Sequence, residues 1–204
     1  MAVNDFDFIA PFYDRLSKLV FGESLIQAQA YHLKEIGDKD HVLILGGGTG
    51  KLLEYIPKSG ELDFVEKSVR MLDRAKRRKF HGSINFIQSD FLEFESDKRY
   101  DVIICPFFLD CFDQQSLNTV IAKIKRLLST NAKLIVVDFE KRKVNTLLLD
   151  SMLIFFRWCA NLETIKLLDL RSFLKKNNFQ ENEIKFYHKG VFSALYYQVG
   201  KRKR

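Results

Sequence analysis

The sequence of 204 residues is poor in cysteine, proline and glycine, and it has a single tryptophan. Its 3 Cys show no C-x-x-C spacing, so we expect neither a disulfide framework nor a metal site, and a reducing compartment, the cytoplasm, fits best. Only 10 Gly and 3 Pro exclude collagen-like and low-complexity chains. Hydrophobic residues make up 47% of the chain, which is enough for a core without cross-links.

The sequence also lacks long apolar runs and a basic N-terminal region. The most apolar stretch, 147–162, is interrupted by Asp150 and Arg157, and it is too short to span a bilayer. The acidic start of the chain lacks the basic region of a secretory signal. The net charge is +7, but four of the positive charges lie in the tail 201–204. We therefore predict no transmembrane segment and no nucleic-acid partner, and we leave peripheral membrane contact open.

Turn signals and hydrophobic periods divide the chain into three parts of one domain. Residues 1–38 have apolar positions at helical spacing and predict an N-terminal helical cap, broken near Gly22. Residues 40–140 alternate between short apolar strands and helices. Residues 141–204 predict lid helices, then a C-terminal antiparallel hairpin that turns near Gly190, and the basic tail.

The central part predicts an α/β fold. Its strands are continuous runs of Val, Ile and Leu, as expected for a parallel sheet that helices cover on both faces. We expect a doubly wound, mostly parallel sheet with right-handed crossovers, which the C-terminal hairpin completes. The predicted strands of the chain are 41–45, 61–66, 84–88, 100–108, 132–139, 182–188 and 192–200, and the predicted helices of the central part follow the first, second and fourth of them.

The strongest site signal is the glycine-rich segment 46–50, GGGTG, between the first strand and the next helical stretch. Glycines allow the backbone to turn tightly and to approach a ligand, and open α/β sheets bind ligands at the carboxyl ends of their strands. The glycines follow G-x-G-x-G spacing, which differs from both the dinucleotide fingerprint and the phosphate-binding P-loop. By itself the segment is equally consistent with a tight turn that binds nothing.

Two carboxylates follow the next two strands. Glu66 ends the second strand, where it can accept hydrogen bonds from two ribose hydroxyls. Asp90 follows the third strand, where it can accept one from an adenine amine while Phe91 packs on the ring. A solvated strand end and a turn aspartate are the structural alternatives. Together with the glycines, these residues predict a nucleoside site.

The segments VLILGGGTG, DFVEKSVRML, INFIQSDFLEF and YDVIIC resemble, in order, the motifs of class I S-adenosylmethionine-dependent methyltransferases. DFDFIAPFYDRLSKLVFG, LIVVDFEK and YHKGVFSALYYQVGK are similar to segments of the ubiquinone/menaquinone C-methyltransferase family. The resemblance covers nearly the whole chain. It implies the Rossmann-like class I methyltransferase fold with an N-terminal helical lid, and S-adenosyl-L-methionine as cofactor.

The resemblance also implies roles for individual residues. The glycines would approach the methionine part, Lys67 would flank the adenine, Tyr13 would close over the cofactor, and 105–107 would line the sulfonium side. One departure is Ile44, which stands where the family usually has an acid, and another is FFLDCF after the fourth strand. The implied cofactor-binding residues are Tyr13, Gly46, Gly48, Gly50, Glu66, Lys67, Asp90, Phe91 and Cys105.

The function that follows is methyl transfer to a small acceptor, either aromatic or lipid-like. Methyl transfer needs alignment of the acceptor and exclusion of water more than a dedicated nucleophile. Asp110 and His188 are candidate bases, beside Asp138 and His32. Two alternatives stay open, namely an RNA or protein methyltransferase and a non-catalytic protein that binds the cofactor or its homocysteine product. Monomer and homodimer are both compatible with the sequence.

Overall fold

The computed structural model describes residue 7, residues 10–140 and residues 168–199. The predicted lid stretch around 144–162, Cys159 and the basic tail 201–204 lie outside the described residues. In the part of the chain that is described, no helix is both long enough and apolar enough to cross a lipid bilayer.

Short helices and seven strands make up the described chain. The α-helices are α1 (Tyr13–Phe21), α2 (Ser24–Ala30), α3 (Val69–Ala75), α4 (Gln114–Leu127) and α5 (Leu170–Lys176). The strands are β1 (Val42–Leu45), β2 (Glu61–Glu66), β3 (Ser83–Gln88), β4 (Tyr100–Pro106), β5 (Leu128–Phe139), β6 (Phe179–Tyr187) and β7 (Phe192–Val199). Four single 3₁₀ turns are Leu33–Glu35, Lys51–Tyr55, Leu109–Cys111 and His188–Gly190.

The strands form one sheet in the order β3-β2-β1-β4-β5-β7-β6. The first five strands in this order are parallel to one another, while β7 pairs antiparallel with both β5 and β6. The prediction of a mostly parallel, doubly wound sheet with an antiparallel C-terminal hairpin is confirmed. The chain leaves β1 toward β2 on one side and later returns to place β4 on the other, so the carboxyl end of β1 is the switch point where such sheets bind ligands.

Burial on both faces explains the apolar strands. Every residue of β1 is buried, and its side chains alternate between two core clusters. Leu43 and Leu45 pack on the α4 side, while Val42 and Ile44 pack on the α3 side. The same alternation in β4 sends Cys105 to the α4 side and Ile104 to the other. Ile44 is therefore a fully buried core residue.

The observed elements differ from the predicted ones mainly at their ends. The stretch after the glycine loop is a 3₁₀ turn rather than a longer helix. The fourth strand ends at Pro106 because Phe107 has a positive φ of 55°. Helix α4 begins at Gln114 because the Asp113 carboxylate accepts the Ser116 N–H (2.7 Å), which caps the helix. Asn178, also at positive φ, makes the turn that precedes β6.

Gly50 illustrates how closely the glycine loop packs on α3. Its φ is +71°, and a Cβ at this position would lie 2.6 Å from the Ala75 Cβ. We expect Gly50→Ala to lower the free energy of unfolding by about 2 to 4 kcal/mol, because backbone strain and overpacking act together. Urea denaturation measures the change.

Gly48→Ala is the matched control. Gly48 has a φ of +57°, but a Cβ there meets nothing within 4 Å. We expect Gly48→Ala to lower the free energy of unfolding by only about 1 to 2 kcal/mol, from backbone strain alone. Equal losses in the two variants would contradict the packing role of Gly50.

Candidate functional site

The carboxyl ends of β1, β2, β3 and β4 surround one cleft. The space inside it, counted to the open mouth and so including solvent, is about 850 Å³. The residues that line it are Tyr13, Gly46, Gly48, Val65, Glu66, Lys67, Ser68, Met71, Ser89, Asp90, Phe91, Pro106, Phe107, Phe108, Cys111 and Phe112. The structure thus brings seven of the nine predicted cofactor-binding residues to one cleft.

The glycine loop contributes backbone to this cleft. The chain stays paired after β1, since the Gly46 N–H donates to the Val65 carbonyl (2.9 Å). Space around Gly48 is open, and its missing side chain leaves the backbone accessible from the cleft. Gly50, by contrast, does not line the cleft, and its lack of a side chain serves the contact with α3.

Glu66 ends β2 and ties three elements together. One carboxylate oxygen accepts the Gly48 N–H (2.9 Å) and the other accepts the Ser68 N–H (2.9 Å). The residue is 8% exposed, and burial raises its pKa, against the opposing effect of these N–H donors. A carboxylate has about four acceptor positions, and the backbone N–H of Lys67 also acts on Glu66, so the group keeps some acceptor capacity for a ligand in the cleft.

Asp90 and Lys67 form an ion pair at the mouth of the cleft. The Lys67 ammonium lies 2.9 Å from one Asp90 oxygen, and the other oxygen accepts the Leu92 N–H (2.9 Å). Burial alone would raise the pKa of Asp90, but Lys67 and the N–H outweigh it and lower the pKa. Asp90 is therefore ionised at neutral pH, and it stands one strand away from Glu66.

Aromatic rings form the floor and one wall of the cleft. Phe91 is 3% exposed and meets Phe108 edge to face, with their ring centroids 5.8 Å apart. Phe108 in turn meets Phe112 at 5.0 Å. Tyr13 of α1 lies above, where burial and then the charge of Asp110 raise the pKa of its hydroxyl. The arrangement suits a flat, aromatic ligand beside a carboxylate.

A second cavity of about 580 Å³ adjoins the cleft between α1, α2 and the glycine loop. Tyr13, Gly46, Gly48 and Pro106 line both spaces, so Tyr13 stands at the passage between them. The second cavity has a more polar lining than the cleft, with Ser17, Lys18, Glu23, Gln29 and Lys51 among its residues. The two spaces together extend from the Asp90 side, past the glycine loop, to the N-terminal helices.

Cys105 and the candidate bases Asp110 and His188 do not line the cleft. Cys105 has no exposed area and packs in the α4-side core, so it does not line the cleft, and the next three residues of the chain do. His188 packs against Phe21 and Phe192, with ring centroids 5.5 and 6.2 Å away, and is absent from the cleft lining. Asp110 is half-buried next to the cleft residue Cys111, whose thiol lies 3.7 Å from its carboxylate.

One set of contacts has no local signal in the sequence. Asp14 of α1 accepts the Thr49 hydroxyl (2.6 Å) and pairs with both Arg74 (3.4 Å) and Arg78. Arg78 also donates to the Thr49 carbonyl (3.1 Å). Asp14 therefore holds the N-terminal helix, and with it Tyr13, on the glycine loop.

Comparisons with known proteins agree with this fold. Residues 42–131, somewhat less than half of the chain, match the family model described as a methyltransferase domain. The chain has the class I methyltransferase fold. No curated protein gives a significant sequence match. Among residues 10–140 and 168–199, no three His, Cys, Asp or Glu side chains are grouped so that they could hold a metal ion.

Solved structures show the same fold at low sequence identity. The DhpI complex with S-adenosylhomocysteine (SAH) aligns with a TM-score of 0.73 and 15% identity, over 97% of this chain and 94% of that one. The N-methyltransferase NodS of Bradyrhizobium japonicum WM9, with SAH, gives 0.65 and 16% over 85% of both chains. Magnesium protoporphyrin IX methyltransferase of Synechocystis PCC 6803, with SAH, gives 0.67 and 15% over 93% and 88%.

The contacts of Asp14 lead to a prediction. Asp14→Ala leaves the buried Thr49 hydroxyl and two guanidinium groups without their shared acceptor. We expect the free energy of unfolding in urea to fall by about 1 to 3 kcal/mol, and α1 to be cut faster in limited proteolysis.

Asp73→Ala is the control for this prediction. Asp73 forms an exposed ion pair within α3, and its removal should change stability by no more than about 0.5 kcal/mol. If both variants behave like the wild type, Asp14 does not hold the helix in place.

Proposed function

We propose that the protein is an S-adenosyl-L-methionine-dependent methyltransferase that acts on a small acceptor. The observation that carries the proposal is the convergence of Glu66, Asp90 and the Gly48 backbone on one cleft. The spare lone pairs of Glu66 suit the two ribose hydroxyls, and the ionised Asp90 suits the adenine amine. Lys67 and Phe91 would flank the adenine. The relatives of known structure that bind SAH support the assignment.

The methionine part would extend past the glycine loop toward the second cavity. Because Ile44 is buried in the core, its position cannot supply the acid that the family usually has there. The loop backbone at Gly46 and Gly48 and the polar side chains of the second cavity would hold the amino-acid group instead. The sulfonium would then lie near Pro106 and Phe107, where both spaces meet.

The acceptor would bind at the aromatic end of the cleft. Phe107, Phe108 and Phe112 line this end together with Cys111, and they favour an apolar or aromatic acceptor over a highly charged one. Of the candidate bases Asp110 and His188, Asp110 is the better placed, since it adjoins Cys111 while His188 lies in a separate aromatic cluster. The finer likeness to quinone C-methyltransferases is part of this proposal, as is action in the cytoplasm.

Calorimetry with SAH tests the cofactor site. Glu66→Gln should weaken binding about 10- to 100-fold, because the amide replaces one charged acceptor with a donor. Glu61→Gln is the matched control, as Glu61 begins the same strand, at the end away from the cleft, and should leave the affinity unchanged. No detectable binding by the wild type at millimolar SAH would contradict the proposed function.

The pH dependence of SAH binding gives a second prediction. Glu66 must be ionised to accept both hydroxyls, and its pKa is raised by burial, so affinity should fall on acidification earlier than an ordinary glutamate would cause. Asp90 has a lowered pKa and should not contribute in that range. The loss of SAH affinity between neutral and mildly acidic pH should be absent in Glu66→Gln. A wild-type affinity that is constant over this range would contradict the role of Glu66.

A further inference from the structure

Asp138 is a buried carboxylate that does not line the cleft, and the family resemblance implies no role for it, although the similar segment LIVVDFEK includes this residue. It lies near the end of β5 and is 2% exposed. One of its oxygens accepts the N–H groups of Leu109 (3.1 Å) and Asp110 (3.2 Å), and the other accepts the N–H of Phe139 (3.0 Å). The side chain thus connects β5 to the turn that follows β4.

This turn, residues 107–112, forms the aromatic end of the cleft, and we call it the acceptor-end turn. Phe107 opens it with a φ of +55°, a conformation that residues other than glycine rarely adopt and that surrounding contacts must maintain. Its N–H donates to the Val137 carbonyl (2.6 Å). Val137 and Asp138, adjacent in β5, therefore supply acceptors for three N–H groups of the turn.

Asp138 also controls charge next to the cleft. Its carboxyl lies next to that of Asp110, and no ion pair of the described residues involves either group. Burial and then the charge of Asp110 raise the pKa of Asp138, while burial raises that of Asp110. Two adjacent carboxyls without a cation resist being ionised together. The Cys111 thiol contacts Asp110, and burial followed by the charges of Asp110 and Asp138 raises its pKa.

We propose that Asp138 is a positioning residue for methyl transfer, which holds the acceptor-end turn in its strained conformation and keeps Asp110 beside Cys111. The inference rests on the proposed function, because alignment of the acceptor with the sulfonium is what the turn would provide. Asp138 acts through the turn and does not touch the cofactor. Its loss should therefore disturb the methyl end of the site while the adenosyl end stays intact.

Two variants, Asp138→Ala and Asp138→Asn, test the proposal with three probes. SAH should bind within threefold of wild type, since it depends on Glu66 and Asp90. Sinefungin, which carries an amine where the cofactor carries its methyl group, should bind at least fivefold more weakly. Iodoacetamide should modify Cys111 at least tenfold faster in Asp138→Ala, as followed by peptide mass spectrometry. The pH midpoint of that reaction should fall in both variants, because a neighbouring carboxyl is gone.

Asp63→Asn is the matched control, since Asp63 is 3% exposed and accepts the Tyr100 hydroxyl (2.6 Å) away from the cleft. It should change stability without changing the Cys111 midpoint or the ratio of the sinefungin and SAH affinities. If folded Asp138→Asn shows the wild-type Cys111 midpoint and the wild-type ratio of sinefungin and SAH affinities, the proposal is overturned. If Asp138→Ala does not fold, Asp138→Asn alone decides the test. Failure of the wild type to bind SAH would instead refute the proposed function, while the Cys111 midpoint would still report on the turn.

Discussion

The cleft depends on one carboxylate, Glu66. Because its two oxygens accept N–H groups from Gly48 and Ser68, it fixes the glycine loop of β1 relative to the start of α3. Glu66 also lines the cleft, so the group that organises this part of the structure is also the one that would hold a ribose. Burial makes its charge costly, and the two backbone donors offset part of that cost. A ligand that donates hydrogen bonds to it would complete its surroundings.

Much of this could be predicted from the sequence for a topological reason. Parallel strands bring their carboxyl ends to one edge, so residues that follow successive strands, such as Glu66 and Asp90, must lie near each other. Cys105 was expected at the cleft, but side chains in a strand alternate between faces and its face is the core. Gly50 resembles its neighbours in sequence, yet it serves packing on α3. Asp14 contacts residues far along the chain, and no local pattern marks such pairings.

The two ends of the cleft differ in how they are built. The end that we propose for the adenosyl group uses strand termini of a parallel sheet, where open α/β sheets bind ligands. The proposed acceptor end uses a strained turn after β4, aromatic side chains and the pair formed by half-buried Asp110 and buried Asp138. We expect the residues of the acceptor end to determine substrate choice, because fold alone does not determine function. The aromatic lining makes an apolar acceptor the natural starting point for a screen.

A crystal structure of the protein soaked with SAH tests the central claim most directly. The account predicts that both ribose hydroxyls lie within hydrogen-bond distance of the Glu66 oxygens, about 2.5 to 3.2 Å, with the adenine between Phe91 and Lys67 and its amine at Asp90. The homocysteine sulfur should point to Pro106 and the acceptor-end turn. Clear density for SAH away from Glu66, or an empty cleft at saturating SAH, would contradict it.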